Sequence, residues 1–460
     1  MKQKMRGQKI ESHLRISLMR LLIVLCCASV LFGLNPNYVV ARDYYVATSG
    51  SDTNEGSENN PLRSIKKAIL SATGGDIIYV KAGTFHEGNI EIRNKLTSMQ
   101  NYLVIKNFAN DEVVIDHDGV DYAWWIQNQS FVELNGLTIQ NAREGITILG
   151  NSKYVIVKKC KIRNIINRGI FVNAGNYDGY PEYGNISESE FYNIGVDTVG
   201  ADISLSIKTT NFTISHNKIH GTVDGIMMSD ASTGNIIENN EIFDHQQEDG
   251  IDMKGSYPRT TTVRDQYNII RNNLIHGNTQ QTGIAIQMES QNVKIYENRI
   301  YNNKWGIWLR SPNTENVEVY NNYIYKNEFT GIIINQEAKG NIKITENTIY
   351  DNGSTTSPGV KAGISINAGS NYQLSNNILG NNGLKDSSFQ TQLIIDPGQT
   401  QSTFIDYDKY YSSWSDKIIK WGAVDMTLDQ FRQFTSMGAN CQYYNSLYNP
   451  VPSPKNLSIQ

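Results

Sequence analysis

Apolar and polar residues alternate along most of this 460-residue chain in short runs broken by Gly, Asn and Asp. That is the pattern of β-strands separated by tight turns. A Gly-Ile step recurs at Gly145, Gly169, Gly225, Gly250, Gly283, Gly306, Gly331 and Gly363, and Asp202-Ile203 takes its place once. The successive spacings are 24, 33, 23, 25, 33, 23, 25 and 32 residues, so a unit of 23–25 residues repeats and some units carry a loop of eight to ten more. An Asn-x-Ile motif runs in step at Asn217, Asn240, Asn273, Asn298, Asn322 and Asn347, followed by His220, Phe243, His276, Tyr301, Tyr325 and Tyr350. A fixed-period, β-rich repeat with little helical signal defines a solenoid. Leucine-rich repeats would show Leu-x-x-Leu-x-Leu, which is absent, and propeller blades need longer units. Stacked Asn side chains can bond one another and the turn backbone down the axis. The pattern predicts an all-β chain, a right-handed parallel β-helix spanning residues 100–383.

The flanks read differently. After Pro61, the positions Ile65, Ala68, Ile69 and Ala72 follow i, i+3, i+4, i+7, which predicts one short amphipathic helix within an N-terminal cap and first strands over 42–99. Such a helix suits the open end of a strand stack. Beyond Gly383 the repeat fades, and Thr427 to Gly438 predicts one helix in an irregular C-terminal cap over 384–460. The longer loops fall at 173–184, 255–266 and 352–362, the second overhanging the acidic stretch described below.

Residues 1–20 carry six Lys or Arg, an apolar run follows from Leu21 to Leu34, and Val39-Val40-Ala41 supplies small residues for cleavage. Residues 1–41 therefore read as a signal peptide cut before Arg42, since 14 apolar residues are short for a membrane span. The expected product is a secreted, monomeric protein, extracellular or periplasmic. Removing six basic residues and one acidic residue with that segment takes the formal charge from −4 to −9. This excludes nucleic-acid binding by general electrostatics. It also sets the chain against a polyanionic sugar unless a metal or local basic patch intervenes. Cys160 and Cys441 remain, and sequence does not say whether they pair.

Chemistry concentrates in residues 244–256, where Asp244, Glu248, Asp249, Asp252 and Lys254 lie within eleven residues. With Ile251 and Met253 facing a core, Asp252 and Lys254 project outward together, and Asp249 stands at the turn before them. One coil earlier, Asp224 holds the register of Asp249. Strands about 4.8 Å apart would bring these carboxylates onto one patch, where a bound cation relieves their repulsion. A solvated acidic face is the plainer alternative. Trp308, outward beside Arg310, offers an apolar platform for a sugar ring, or lateral packing for a loop. His220 and His276 fall in the aromatic column and read as stacked turn residues. No Cys/His zinc spacing, phosphate loop or nucleophile elbow occurs.

The segments from Tyr44 to Phe85, the repeat, and "DGI…EDGIDMK" together resemble polysaccharide lyase family 9, the secreted calcium-dependent pectate lyases, over most of residues 43–380. The resemblance implies a Ca2+ site in which Asp224 matches an Asp one coil before an Asp-Asp-Gly-x-Asp motif. Asp249 and Asp252 match the last two acids of that motif, and Glu248 stands where the family has Asp. It also implies a lysine base one coil further on, where this chain has Ala285. Lys254 and Arg310 are then the candidates to act on an acidic polysaccharide, Lys254 as base and Arg310 holding a substrate carboxylate. β-Elimination requires a neutral amine, so a salt bridge from Lys254 to Asp252 or Asp249 would oppose that role. Three other readings share the fold: a β-helical glycoside hydrolase with paired carboxylates, a uronan C5-epimerase, and a carbohydrate-binding β-helix without catalysis.

Overall fold

In the computed structural model the described residues are 41–195, 200–255, 266–335, 340–367, 371–383, 391–396 and 403–448. The expected signal peptide and most of the 255–266 loop lie outside them. Each coil contributes strands to three parallel columns, in which strands pair with their counterparts one coil away; Val424–Thr427 instead pairs antiparallel with Lys417–Trp421. The first column is a 14-stranded sheet running from Asp43–Val46 to Phe404–Asp406. The second contains the short Asn-x-Ile strands, among them Lys218–His220, Glu241–Phe243, Leu274–His276 and Arg299–Tyr301. The third contains Ala201–Ser206, Asp224–Ser229, Ile251–Lys254, Thr282–Gln287 and Trp305–Leu309. In earlier coils one long strand, such as Thr138–Leu149 or Lys161–Asn173, runs through the second and third columns with a register shift at the corner. The chain is a parallel β-helix.

Register explains the core. Ile226, Ile251, Ile284, Ile307, Ile332 and Ile364 are successive partners in the third column, and all are fully buried. Each contributes about 1.5–3 kcal/mol relative to exposure. The corners are built from residues at positive φ placed just before a buried Asn: Asn239 (φ 55°), Asn272 (φ 54°), Glu297 (φ 56°) and Asn321 (φ 54°). Asn tolerates this left-handed conformation better than most residues. The Asn that follows joins the ladder. Asn240 N–H donates to Asn273 Oδ1 at 3.0 Å, Asn273 to Asn298 at 3.0 Å and Asn298 to Asn322 at 3.1 Å.

The glycines form one column. A Cβ on Gly225 would stand 2.4 Å from Gly250 O, one on Gly250 2.8 Å from Gly283 O, and one on Gly306 2.3 Å from Gly331 O. The expected helices are Ile65–Ser71, capped by Ser64, and Leu428–Thr435, capped by Thr427. Strands of the stack already pair within 42–99, the stretch read as cap and first strands, and others follow residue 383. The stack begins at Asp43 and continues through Thr391–Ile395 and Lys409–Tyr411. The late coils are hidden in the sequence because Gln392 stands at the glycine position and serves the ladder with its Oε1, and Asp408 replaces a ladder Asn. Cys160 and Cys441 are both buried free thiols. No helix among the described residues is long and apolar enough to cross a membrane.

Candidate functional site

The outward side chains of the third column supply the site. Ile251 and Met253 are fully buried, so Asp252 and Lys254 emerge on the opposite face. Asp252 lies between Met227 and Ala285 in register, and Ala285 is followed by Trp308. Lys254 lies between Ser229 and Gln287, and Arg310 follows one coil on, its N–H bonding Ile286 O. Because Ile226 pairs with Ile251, Asp224 and Asp249 share a position at the strand entry.

These offsets gather Asp224, Glu248, Asp249 and Asp252, with one oxygen of each within 4.8 Å of the others. All but Glu248 are buried. Asp249 N–H donates to Asp224 Oδ1 at 3.0 Å, and Thr282 N–H donates to Asp249 Oδ1 at 2.9 Å. Gln287 Nε2 donates to Asp252 Oδ1 at 2.7 Å. Two cations border the group. Lys254 Nζ stands 2.6 Å from Asp252 Oδ2 and 3.6 Å from Asp224 Oδ2. Arg310 holds Asp249 through both terminal nitrogens and also donates to Thr282 Oγ1 at 2.7 Å.

Burial shapes the titration of the cluster. It pushes the Asp249 carboxyl up to about 6, with Arg310 opposing the rise. It pushes Asp224 well above the ordinary carboxylate range, and Asp252 adds to this by repulsion. For Lys254, burial works against the charge, but Asp252 and Asp224 outweigh it and hold the amine above its usual value. Four carboxyl groups face two cations, so the acids outnumber the cationic partners within their reach. Asp252 Oδ2 has only an ion-pair contact without aligned hydrogen-bond geometry. A hard divalent cation fits this donor set, because it takes several carboxylate oxygens at once.

The fold brings together the acids, Lys254 and Arg310 as the sequence register implies. It also assigns them partners that change two expectations. Lys254 sits in the salt bridge that opposes a base role, and Arg310 spends both terminal nitrogens on Asp249, which leaves it less donor capacity for a substrate carboxylate. Trp308 is half-buried, with the Arg310 guanidinium carbon 4.4 Å from one of its ring centres and Trp305 at 4.7 Å. One face of its platform is therefore covered. Ala285 is buried in register with Asp252 and presents no amine. His220 and His276 stack with Phe243 at 4.7 and 5.1 Å, as expected, but they end the strands Lys218–His220 and Leu274–His276 rather than standing in turns.

Sequence reading missed Thr282 and Gln287, which fix Asp249 and Asp252. It also missed a second Asn ladder five residues after the first, Asn278, Asn303, Asn327, Asn352 and Asn382. The fixed offset was the available signal. A further group, His86, Asp116 and Asp118, is mostly exposed, and the acids are held by His86, Gln140 and Asn141.

Residues 203–379 match the family described as "Right handed beta helix region", and residues 48–92 match "Protein of unknown function (DUF1565)". The chain is 27% identical over 208 residues to "Uncharacterized protein YwoF" of Bacillus subtilis (strain 168), covering 34% of this chain and 44% of that protein. It is 38% identical over 79 residues to "Pectate lyase PEL9" of Emericella nidulans, covering 17% of this chain and 19% of the relative. The chain thus spans less than half the length of these curated relatives. Among solved structures, a mannuronic acid specific polysaccharide family 6 lyase from human gut microbiota superposes with a TM-score of 0.55 at 14% identity, covering 86% of this chain and 96% of that one. The chain is a right-handed parallel β-helix protein that shares its fold with that lyase.

Proposed function

We propose that this protein is a secreted, calcium-dependent polysaccharide lyase that cleaves a uronate-containing, pectate-like polymer by β-elimination. The observation that carries the reading is the convergence of Asp224, Glu248, Asp249 and Asp252 from adjacent coils, four acids against two cationic partners, on an outward sheet face. The partial identity with a pectate lyase supports it.

Asp224, Glu248, Asp249 and Asp252 would hold the calcium ion, which when bound neutralises a uronate carboxylate and stabilises the charge that develops on it. Lys254 is the residue placed to take the proton α to that carboxylate onto Nζ. The C–H electrons form the new C=C bond, the bond to the β oxygen breaks, and solvent protonates the leaving oxygen. Lys254 can do this only as the neutral amine, so the role requires that Asp252 and Asp224 be neutralised by something other than Lys254. Arg310 fixes Asp249 and, with its remaining donor capacity, orients a substrate carboxylate at the cluster's edge. Trp308 offers its uncovered face to a sugar ring.

Incubating the protein with a panel of uronate polymers, with calcium and with chelator, tests the reading. New ultraviolet absorbance from an unsaturated uronate end, abolished by chelator, is expected. Reducing ends without absorbance would mean hydrolysis, and altered uronate stereochemistry without cleavage would mean epimerisation. One observation favours a second reading: both cations are spent on the acids. A non-catalytic carbohydrate-binding protein would hold the polymer and change none of these signals.

A further inference from the structure

Where the second ladder stops, three residues depart from its Gly–Asn pattern in three consecutive coils, and they are bonded to one another. Where the second ladder runs undisturbed, glycine column and ladder Asn are a matched pair. A Cβ on Gly250 would stand 2.8 Å from Asn278 Nδ2, one on Gly283 3.1 Å from Asn303 Nδ2, and one on Gly331 3.1 Å from Asn352 Nδ2. The Asn fills the space that the glycine leaves. Toward the acidic cluster the pairing changes. His245 takes the Asn position opposite Gly225, its Nε2 standing 2.8 Å from where a Cβ would lie. One coil earlier Thr222 takes the Asn position, and Asp202 replaces the glycine. The shorter Thr leaves room for the Asp202 carboxyl.

All three side chains are buried. Thr222 Oγ1 donates to Asp202 Oδ2 at 2.7 Å and lies 2.9 Å from His245 Nδ1. It also stands 3.2 Å from the main-chain oxygen of Asp224. One hydroxyl thus ties three coils together: Thr222 lies two residues before Asp224, and its partner His245 lies on the segment leading to Glu248 and Asp249. The same two segments are further joined by Gln246 N–H to Thr222 O and Glu248 N–H to Val223 O, each 3.2 Å. Burial holds the Asp202 carboxyl well above its ordinary range and lowers the His245 imidazole to about 3. Asp202 Oδ1 and His245 Nε2 have no hydrogen-bond partner, an arrangement costlier than the Gly–Asn pairing it replaces. Departures of this kind from a consistent repeat concentrate at functional sites.

We infer that Asp202, Thr222 and His245 form a buried positioning unit that sets the spacing between the coil carrying Asp224 and the coil carrying Glu248 and Asp249, and so the geometry of a divalent-cation site. This rests on the cation reading proposed above. The residues touch neither substrate nor ion and act through the backbone of the ligand-bearing coils.

Calorimetric titration with calcium, paired with thermal melting, tests it. Thr222→Val removes the hydroxyl at constant shape and should weaken calcium binding about tenfold or more, whereas Thr222→Ser should restore near-wild-type affinity. The triple variant Asp202→Gly/Thr222→Asn/His245→Asn restores the repeat's own pairing, so it should melt at or above the wild-type temperature yet bind calcium at least about tenfold more weakly. That split separates positioning from mere packing, and it remains readable if Thr222→Val fails to fold. Wild-type affinity in Thr222→Val or in the triple variant overturns the inference alone. A wild-type protein that takes up no calcium removes the cation reading and this inference with it.

Discussion

Arg310 reaches back across two coils to hold Asp249 with both terminal nitrogens, Nη1 to Oδ2 at 2.9 Å and Nη2 to Oδ1 at 2.8 Å. The Asp249 side chain is fully buried and that of Arg310 is 17% exposed. Removing one member of such a pair leaves a buried charge uncompensated, which typically costs about 3–5 kcal/mol. Asp249→Ala should therefore destabilise the fold by that order as well as abolish calcium uptake. Asp249→Ala/Arg310→Met should recover most of the stability and none of the calcium binding. Chemical denaturation of the two variants decides this, and an unchanged midpoint for Asp249→Ala would mean the pair is solvated.

Lys254 competes with any cation for Asp252 and Asp224. In Lys254→Ala the competitor is gone, so calcium should bind as tightly as in the wild type or more tightly. Turnover should nevertheless fall by about 10²–10⁴ if Nζ takes the proton. Arg310→Ala should mainly raise KM, because it removes orientation rather than proton transfer. Near-normal turnover in Lys254→Ala together with a dead Arg310→Ala would exchange the two roles.

The columns were legible because a one-residue slip in a coil would turn its Ile inward-facing set to solvent. The spacing of Gly145 to Gly363 therefore fixed register, and register placed Asp224 beside Asp249 and Asp252 beside Ala285. What register could not give is the reach of long side chains. Arg310 crosses 61 residues of sequence to Asp249, and nothing in the local pattern of either strand encodes that contact. Nor could a pattern keyed on Asn reveal ladder rungs served by His245, Gln392 or Asp408. Asp202 was visible as a break in the glycine column, but its meaning depended on Thr222 one coil away.

The first ladder should be costly to interrupt. Asn298 Nδ2 donates to Ile270 O, Tyr296 O and Asn322 Oδ1, and its Oδ1 accepts from Asn273 N–H and Nδ2. Asn298→Ala strips partners from buried groups on three coils, each worth about 1–3 kcal/mol when left unpaired. A loss of about 3 kcal/mol or more in denaturant unfolding is expected. Asn298→Ala within about 0.5 kcal/mol of wild type would mean that water replaces the ladder.

The ladder's last rungs offer a pH test that does not involve the acidic cluster. Asn377 donates to Asp408 Oδ1 through its N–H at 2.8 Å and its Nδ2 at 3.0 Å, where each rung from Asn217 to Asn377 presents an Asn oxygen. Burial pushes the Asp408 carboxyl up to about 7, and the bonds from Asn377 and Tyr410 offset this only in part. Its folded-state value thus lies above the unfolded one, so between about pH 4 and 7 the folded chain holds a proton that the unfolded chain has released. The stability this proton confers is complete below the unfolded value and is lost as pH rises through about 7, with a slope of up to about 1.4 kcal/mol per pH unit. Asp408→Asn keeps an acceptor for Asn377 and carries no proton to lose. Unfolding measured from pH 4 to 8 should show the wild type losing ground to Asp408→Asn as pH rises, the variant being the more stable at pH 8. Parallel curves for the two proteins would show that Asp408 is ionised in the folded state with its charge satisfied.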